Sequence, residues 1–303
     1  MPPPRSRLPG TTYVVERRTE RRVHLFRPDA LMNQVFLYCL AYAVEETGMR
    51  LMAATLMSNH YHAIVHDPSG NIAVFTERFH GLLTKATQAL RGWQGSVFDG
   101  GKTSYVELLT VEAIVDRTGY VLANPTAAGL VRYSKDWPGV RTRISEIGAE
   151  RTTAVARPTG AFFAEEGTMP ESVSFRCEML EPLLEGSDLD SARARIADAV
   201  ETKEQEARIR IEAEGRAFKG VERVLKSSPY ARATSFEERH TLNPRYAGDE
   251  EAREAAIERD RDFVERYAIA RERWVGGERD VVWPAGTDAM RRRHRVPCAP
   301  PPE

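Results

Sequence analysis

The chain has 303 residues, enough for one large domain or two ordinary ones. Hydrophobic residues at 42% exclude a disordered chain, and 43 Lys+Arg against 44 Asp+Glu, a net charge of −1, exclude a uniformly basic nucleic-acid coat. The balance is uneven: residues 1–27 carry seven Arg against Glu16 and Glu20, residues 1–150 hold 17 basic and 14 acidic residues (+3), and the remainder holds 26 against 30 (−4).

The first ten residues are rich in Pro and Arg. Thr12–Glu16 reads as a strand from its β-branched and aromatic content. Residues 17–27 lack periodicity and read as an Arg-rich loop. A helix is predicted from Pro28-Asp29 to about Gly48, with Leu31, Val35, Tyr38 and Tyr42 among its buried positions. Arg50–Met57 and Tyr61–His66 read as two strands around the turn signal Ser58-Asn59. Asn71 is placed to cap the next helix, whose apolar face is Ile72, Phe75, Phe79, Leu83, Ala86 and Leu90. Ser104–Leu109 reads as a strand, and Val111–Ala123 as a helix stopped by Asn124-Pro125. Residues 134–175 read as a connector. Long charged helices are expected over 187–225, breaking at Gly215 or Gly220, and over 250–274.

The order strand, helix, strand, strand, helix, strand is the split βαβ pattern. The expected fold is therefore α+β: a ferredoxin-like antiparallel sheet with a mostly helical C-terminal extension. The boundary is set near residue 150, giving domains 1–150 and 151–303. Three scattered cysteines (Cys39, Cys177, Cys298) contain no metal or disulfide pattern. The apolar stretch near 35–44 is too short for a bilayer, so a cytoplasmic location is expected.

Two constellations carry chemistry. His60 and His62 are two apart on a strand, so they share a face, together with Ile64 and His66. Two imidazoles on a rigid strand can hold a divalent metal, with water, a phosphate oxygen or one further side chain completing the set. A bare His-x-His also arises by chance on solvated strands. Tyr120 and Asn124 are four apart on a helix and face one way. A phenol has a pKa near about 10 and attacks only when a cation stabilises its phenolate. Taken alone, a Tyr on an apolar helix is a core aromatic. Arg17, Arg18, Arg21, Arg22 and Arg27, and Arg78 with Lys85 one helical side apart, are candidate phosphate contacts. Arg291–Arg295 is a second basic cluster.

The segment Leu56-Met57-Ser58-Asn59-His60-Tyr61-His62-Ala63-Ile64-Val65 resembles the His-hydrophobic-His (HUH) strand of single-tyrosine transposases, most closely the REP-associated tyrosine transposase branch. Gly119-Tyr120-Val121-Leu122-Ala123-Asn124-Pro125-Thr126-Ala127-Ala128-Gly129-Leu130-Val131 is similar to that family's tyrosine helix. The resemblance covers roughly residues 12–140. Ser58 stands where the family usually has Pro, and Thr126-Ala127 where it often has Val-Arg, which removes a basic contact. The resemblance implies a DNA transposase or endonuclease in which His60 and His62 bind Mg²⁺ or Mn²⁺ and Asn124 completes the site. It implies that Tyr120 attacks single-stranded, hairpin-forming DNA, leaving a 5′-phosphotyrosine and a free 3′-OH. Two other functions are open: a non-catalytic single-stranded nucleic-acid-binding protein on the same fold, and a replication-initiator-type nuclease of the HUH superfamily. The absence of a Gly-x-x-x-x-Gly-Lys-Ser/Thr phosphate loop ranks the second lower. A monomer and a homodimer are both compatible with the sequence.

Overall fold

The structure is a computed structural model that describes residues 4–100, 103–163, 169–234 and 245–301. The chain is α+β, built on a mixed five-stranded sheet flanked by helices. Strand β1 (Thr11–Arg18) leads to helix α1 (Ala30–Thr47). Strands β2 (Arg50–Leu56) and β3 (His60–Asp67) form a hairpin, and helix α2 (Ile72–Arg91) leads to β4 (Ser104–Leu108) and α3 (Val111–Ala127). A small hairpin of β5 (Thr153–Ala156) and β6 (Ser172–Phe175) follows. Then come α4 (Leu189–Ala213), α5 (Val221–Lys226), the two-residue β7 (Tyr246–Ala247), α6 (Glu250–Val275) and α7 (Ala289–His294).

The strand order is β2-β3-β1-β4-β7. The first four strands are mutually antiparallel, and β7 adds to β4 in parallel. Alternation along β3 decides what each layer receives. Tyr61 points to the face covered by α1 and α2, where its ring meets Phe36 and Phe79. Each such aromatic pair adds roughly 0.5–1.5 kcal/mol beyond the area it buries. His62 points to the other face, where α3 lies, and α4 packs along the outer side of α3. The buried α4 positions Ala192, Ile196, Val200, Glu204, Ala207 and Ile211 recur at intervals of three or four, as one buried helical stripe requires. Residues on both sides of position 150 share one apolar cluster, and the β5–β6 hairpin packs on α1.

Four local expectations are corrected. Strand β1 runs on through Arg17 and Arg18, so these two are not in a loop; they pair with Tyr61 and His60. The cap of α2 is not Asn71, whose side chain makes no capping bond. The Asp67 carboxylate does that work, accepting from the backbone N–H of Ser69, Asn71 and Ile72 at 2.7–3.1 Å. Helix α3 does not stop at Asn124-Pro125 but continues to Ala127. A proline in the last turn removes only one hydrogen bond. Arg141 Nε donates to the Leu122 carbonyl beside the break at 2.7 Å. Residues 134–175 are not a plain connector, since they hold the β5–β6 hairpin. The breaks at Gly215 and Gly220 occur as expected, both glycines having positive φ. Among the described residues no helix is long and apolar enough to cross a membrane.

Candidate active site

The β-ladder assembles one wall of the site. His60 lies opposite Arg18 and His62 opposite Glu16 on β1, while Thr55 of β2 faces His62 from the other side. The two imidazoles are 4.9 Å apart, ring centre to ring centre, and perpendicular. Helix α3 supplies the second wall. Tyr120 sets its ring 5.4 Å from that of His62, and Asn124 Oδ1 comes within 3.3 Å of His60 Nε2. Asn124 is buried, and its side chain acts to lower the pKa of Tyr120. The continuation of the helix through Pro125 keeps Asn124 one turn below Tyr120.

The position of α3 is fixed from behind. A Cβ at Gly119 would lie 2.8 Å from Ala199 Cβ and 2.9 Å from the Ala199 carbonyl carbon of α4. Only glycine lets the two helices approach this closely, and Tyr120 is the next residue.

Burial pushes the pKa of both His60 and His62 down to about 3. Their mutual proximity adds to the effect at His60, and Arg18 adds to it at His62. Both rings are therefore neutral and keep a lone pair. Asn59 sets which nitrogen of His60 carries it. Asn59 Nδ2 donates to the Arg22 carbonyl at 3.4 Å, which turns Oδ1 towards His60 Nδ1 at 2.7 Å. Nδ1 is thus the donor, and the bare Nε2 faces the carbonyl oxygen of Asn124. On that assignment Nε2 and Oδ1 face each other as two acceptors at 3.3 Å. Neither ring nitrogen of His62 has a hydrogen-bond partner, although its side chain is 1% exposed. Glu16 Oε2 stands 3.6 Å from His62 Nδ1, which favours the proton there and leaves Nε2 bare.

Buried acceptors without donors are costly, about 1–3 kcal/mol each. A cation removes that cost, so the donor set fits a divalent metal held by His60, His62 and Asn124. Among the described residues no three His, Cys, Asp or Glu side chains gather in a metal-binding group. Two imidazoles and an amide oxygen could hold such an ion only with further oxygen ligands, from water or phosphate, completing its shell. Burial raises the Tyr120 pKa, and Glu16 raises it further; Arg18, Arg117 and Asn124 oppose them. Without an added cation Tyr120 stays a phenol at neutral pH.

The other candidate residues divide between the layers. Arg18 is on the site's face and donates to Glu16 at 3.1 Å. Arg17 points to the opposite face, where Nη1 meets His80 Nδ1 at 2.9 Å and the guanidinium covers Phe98. Arg21 and Arg22 form the turn after β1, both with positive φ. Arg27 pairs with Asp29, and His66 bonds Thr12. Arg78 and Lys85 are exposed on α2, in the layer away from His60 and His62. Sequence reasoning missed Glu16, Asn59 and Arg141 as parts of the site. Only for Glu16 was there a signal: its alternation with Arg18 along a strand longer than the one predicted.

No family model matches the sequence, and no curated protein matches it. Among solved structures, the chain is similar to a REP-associated tyrosine transposase bound to a REP hairpin. The identity is 15% over 46% of this chain and 81% of that one, with a TM-score of 0.40. It is also similar to a putative transposase from Deinococcus radiodurans R1. There the identity is 16% over 37% of this chain and 88% of that one, with a TM-score of 0.29.

Proposed function

We propose that this chain is a metal-dependent tyrosine DNA transposase or endonuclease acting on single-stranded, hairpin-forming DNA. On this reading the order β2-β3-β1-β4 is the ferredoxin-like split βαβ sheet, with β7 as an addition. The observation that carries the proposal is the convergence of Tyr120 and Asn124, from α3, on the two neutral imidazoles of β3.

His60 Nε2, a His62 ring nitrogen and Asn124 Oδ1 would hold Mg²⁺ or Mn²⁺. The bound ion supplies positive charge to a phosphodiester and to a phenolate beside it. Asn59 keeps the proton on His60 Nδ1, so that Nε2 remains a ligand. Tyr120 gives its phenolic proton to solvent, and Oη attacks the phosphorus. The bond from phosphorus to the 3′-oxygen breaks, and that oxygen leaves as a 3′-OH after taking a proton. The 5′-phosphate stays on Tyr120. A second 3′-OH attacking the phosphotyrosine reverses the step and joins strands. Arg18 and Arg117 stabilise negative charge at Tyr120. Arg18, Arg21 and Arg22 are the proposed phosphate contacts beside the site.

The test is a hairpin oligonucleotide labelled at its 3′ end, incubated with the protein and Mn²⁺. A labelled band that survives denaturation is expected for the wild type and is absent in Tyr120→Phe, in His60→Ala and with chelator. A Tyr120→Phe protein that captures label as well as wild type overturns the proposal.

A further inference from the structure

A cleft of about 520 Å³ opens on the reverse side of the sheet, between β4, the first turn of α2, and α6 with α7. Arg5, Arg7, Arg17, Tyr105, Phe263 and Tyr267 line it. Arg17 alternates with Glu16 and Arg18 along β1, so the cleft faces away from His60 and His62.

The cleft is built by the chain rather than left over. Residues before β1 thread between two glycines. A Cβ at Gly70 would lie 2.8 Å from the Arg7 carbonyl oxygen, and one at Gly286 would lie 2.8 Å from the Arg7 nitrogen and strike Ser6 Oγ. Both glycines have positive φ, and Arg7 N–H donates to the Gly286 carbonyl at 3.0 Å. This threading fixes Arg5 and Arg7 over the β4 edge. The Arg7 guanidinium sits 4.3 Å above the Tyr105 ring.

The carboxylates in and beside the cleft are engaged by other groups, which leaves an excess of positive charge in its lining. Glu107 is taken in a two-pronged pair by Arg259, at 2.8 Å on both arms. Asp260 is taken by the Tyr246 hydroxyl and Arg245. Asp288, the acidic residue of the lining, is held by Arg292 at 3.0 Å. Burial, then the neighbouring charges of Arg7 and Arg245, lower the pKa of Arg5. Arg17 Nε is buried without a hydrogen-bond partner. Three arginines, Arg5, Arg7 and Arg17, against the single carboxylate of Asp288, walled by Phe263 and Tyr267, match an anion carrying flat apolar groups.

We propose that this cleft binds the phosphodiester backbone of a single DNA strand, with Arg5 and Arg7 on phosphate and Phe263 and Tyr267 against bases or sugars. The proposal rests on the reading above in taking the ligand to be DNA that the same chain cuts. The cleft would then grip the strand on the far side of the sheet from the reacting phosphate. Guanidinium forks suit phosphate oxygens, and aromatic rings stack on any base.

The test uses full-length Tyr120→Phe protein without divalent metal, so that it reads binding and not cleavage. A fluorescent single-stranded oligonucleotide is titrated at several salt concentrations. Arg5→Gln/Arg7→Gln is expected to weaken binding about a hundredfold, since each of the two lost charge-assisted contacts is worth a factor of about ten. It should also flatten the salt slope by about 1.4, from about 0.7 per phosphate contact on single strands. Arg151→Gln/Arg223→Gln, which removes two exposed arginines elsewhere, should leave the slope unchanged. Equal slopes for the cleft variant and the parent overturn the proposal. So does millimolar inorganic phosphate that displaces the strand completely, because the cleft is then a site for free phosphate. A measurement without cleft variants keeps the test independent of folding: an iodouracil-bearing strand, irradiated with the protein, should crosslink to Phe263 or Tyr267. Crosslinks confined to other residues overturn the proposal. Failure here leaves the Tyr120 adduct experiment untouched, and failure of that experiment leaves this binding result readable.

Discussion

Replacing His62 with leucine should stabilise the metal-free protein and abolish its response to divalent ions. The side chain of His62 is 1% exposed, and neither ring nitrogen has a partner. An unpaired buried polar group costs about 1–3 kcal/mol, and leucine fills similar space without one. The edge contacts with the rings of His60 and Tyr120 are lost in exchange. The net gain is then about 1–2 kcal/mol, or roughly 3–6 °C in Tm at about 2–4 °C per kcal/mol for a chain of this size. In the wild type a metal at a hundred times its Kd stabilises by about 2.7 kcal/mol. Thermal melts with and without Mn²⁺ measure both terms. A His62→Leu protein that is less stable without metal, and still rises in Tm with Mn²⁺, refutes this reasoning.

Other consequences follow from single contacts. Asn59→Ala frees the His60 ring to exchange tautomers, and a calorimetric titration should show Mn²⁺ affinity falling about 10–100-fold. Gly119→Val drives a branched side chain into the α4 backbone at Ala199; urea denaturation should show a loss of about 1–3 kcal/mol. Adduct formation in that variant should fall further than stability does, since a shift of about 1 Å can cost about 100-fold in rate. His80 is buried with its pKa pushed down to about 3, and its Nδ1 must accept from Arg17. Its pKa is lower folded than unfolded, so the unfolded chain binds the extra proton and stability falls as pH drops below about 6.5. Between pH 6.5 and 5 this one group should remove roughly 1.5–2 kcal/mol, and His80→Phe should lose that part of the slope.

The elements legible in the sequence were those set by local rules. Asp29 caps α1 by accepting from the Met32 N–H, as its place before an apolar run requires. The β2–β3 hairpin follows from two short apolar runs around the turn signal Ser58-Asn59, and α2 follows from its strong periodicity. What escaped was set by tertiary contacts. Nothing local says that β1 continues through Arg17-Arg18; ladder pairing with Tyr61 and His60 decides it. Helix α3 runs past Pro125 to Ala127, and Arg141, from a later segment, donates to the Leu122 carbonyl beside the proline. Strand β7 is two residues long and exists by pairing with β4. In the candidate site, spacing alone put His60 with His62 and Tyr120 with Asn124. That the two pairs meet across α3 and β3 depends on the Gly119–Ala199 approach and on sheet register, which no spacing encodes.

Mapping the site of covalent attachment tests the central claim most directly. After reaction with single-stranded hairpin DNA and Mn²⁺, the protein is digested with trypsin and nuclease and analysed by mass spectrometry. The account predicts a nucleotide joined through its 5′-phosphate to the peptide Thr118–Arg132, in which Tyr120 is the sole tyrosine. Attachment to a different residue, or the same adduct in Tyr120→Phe, contradicts it.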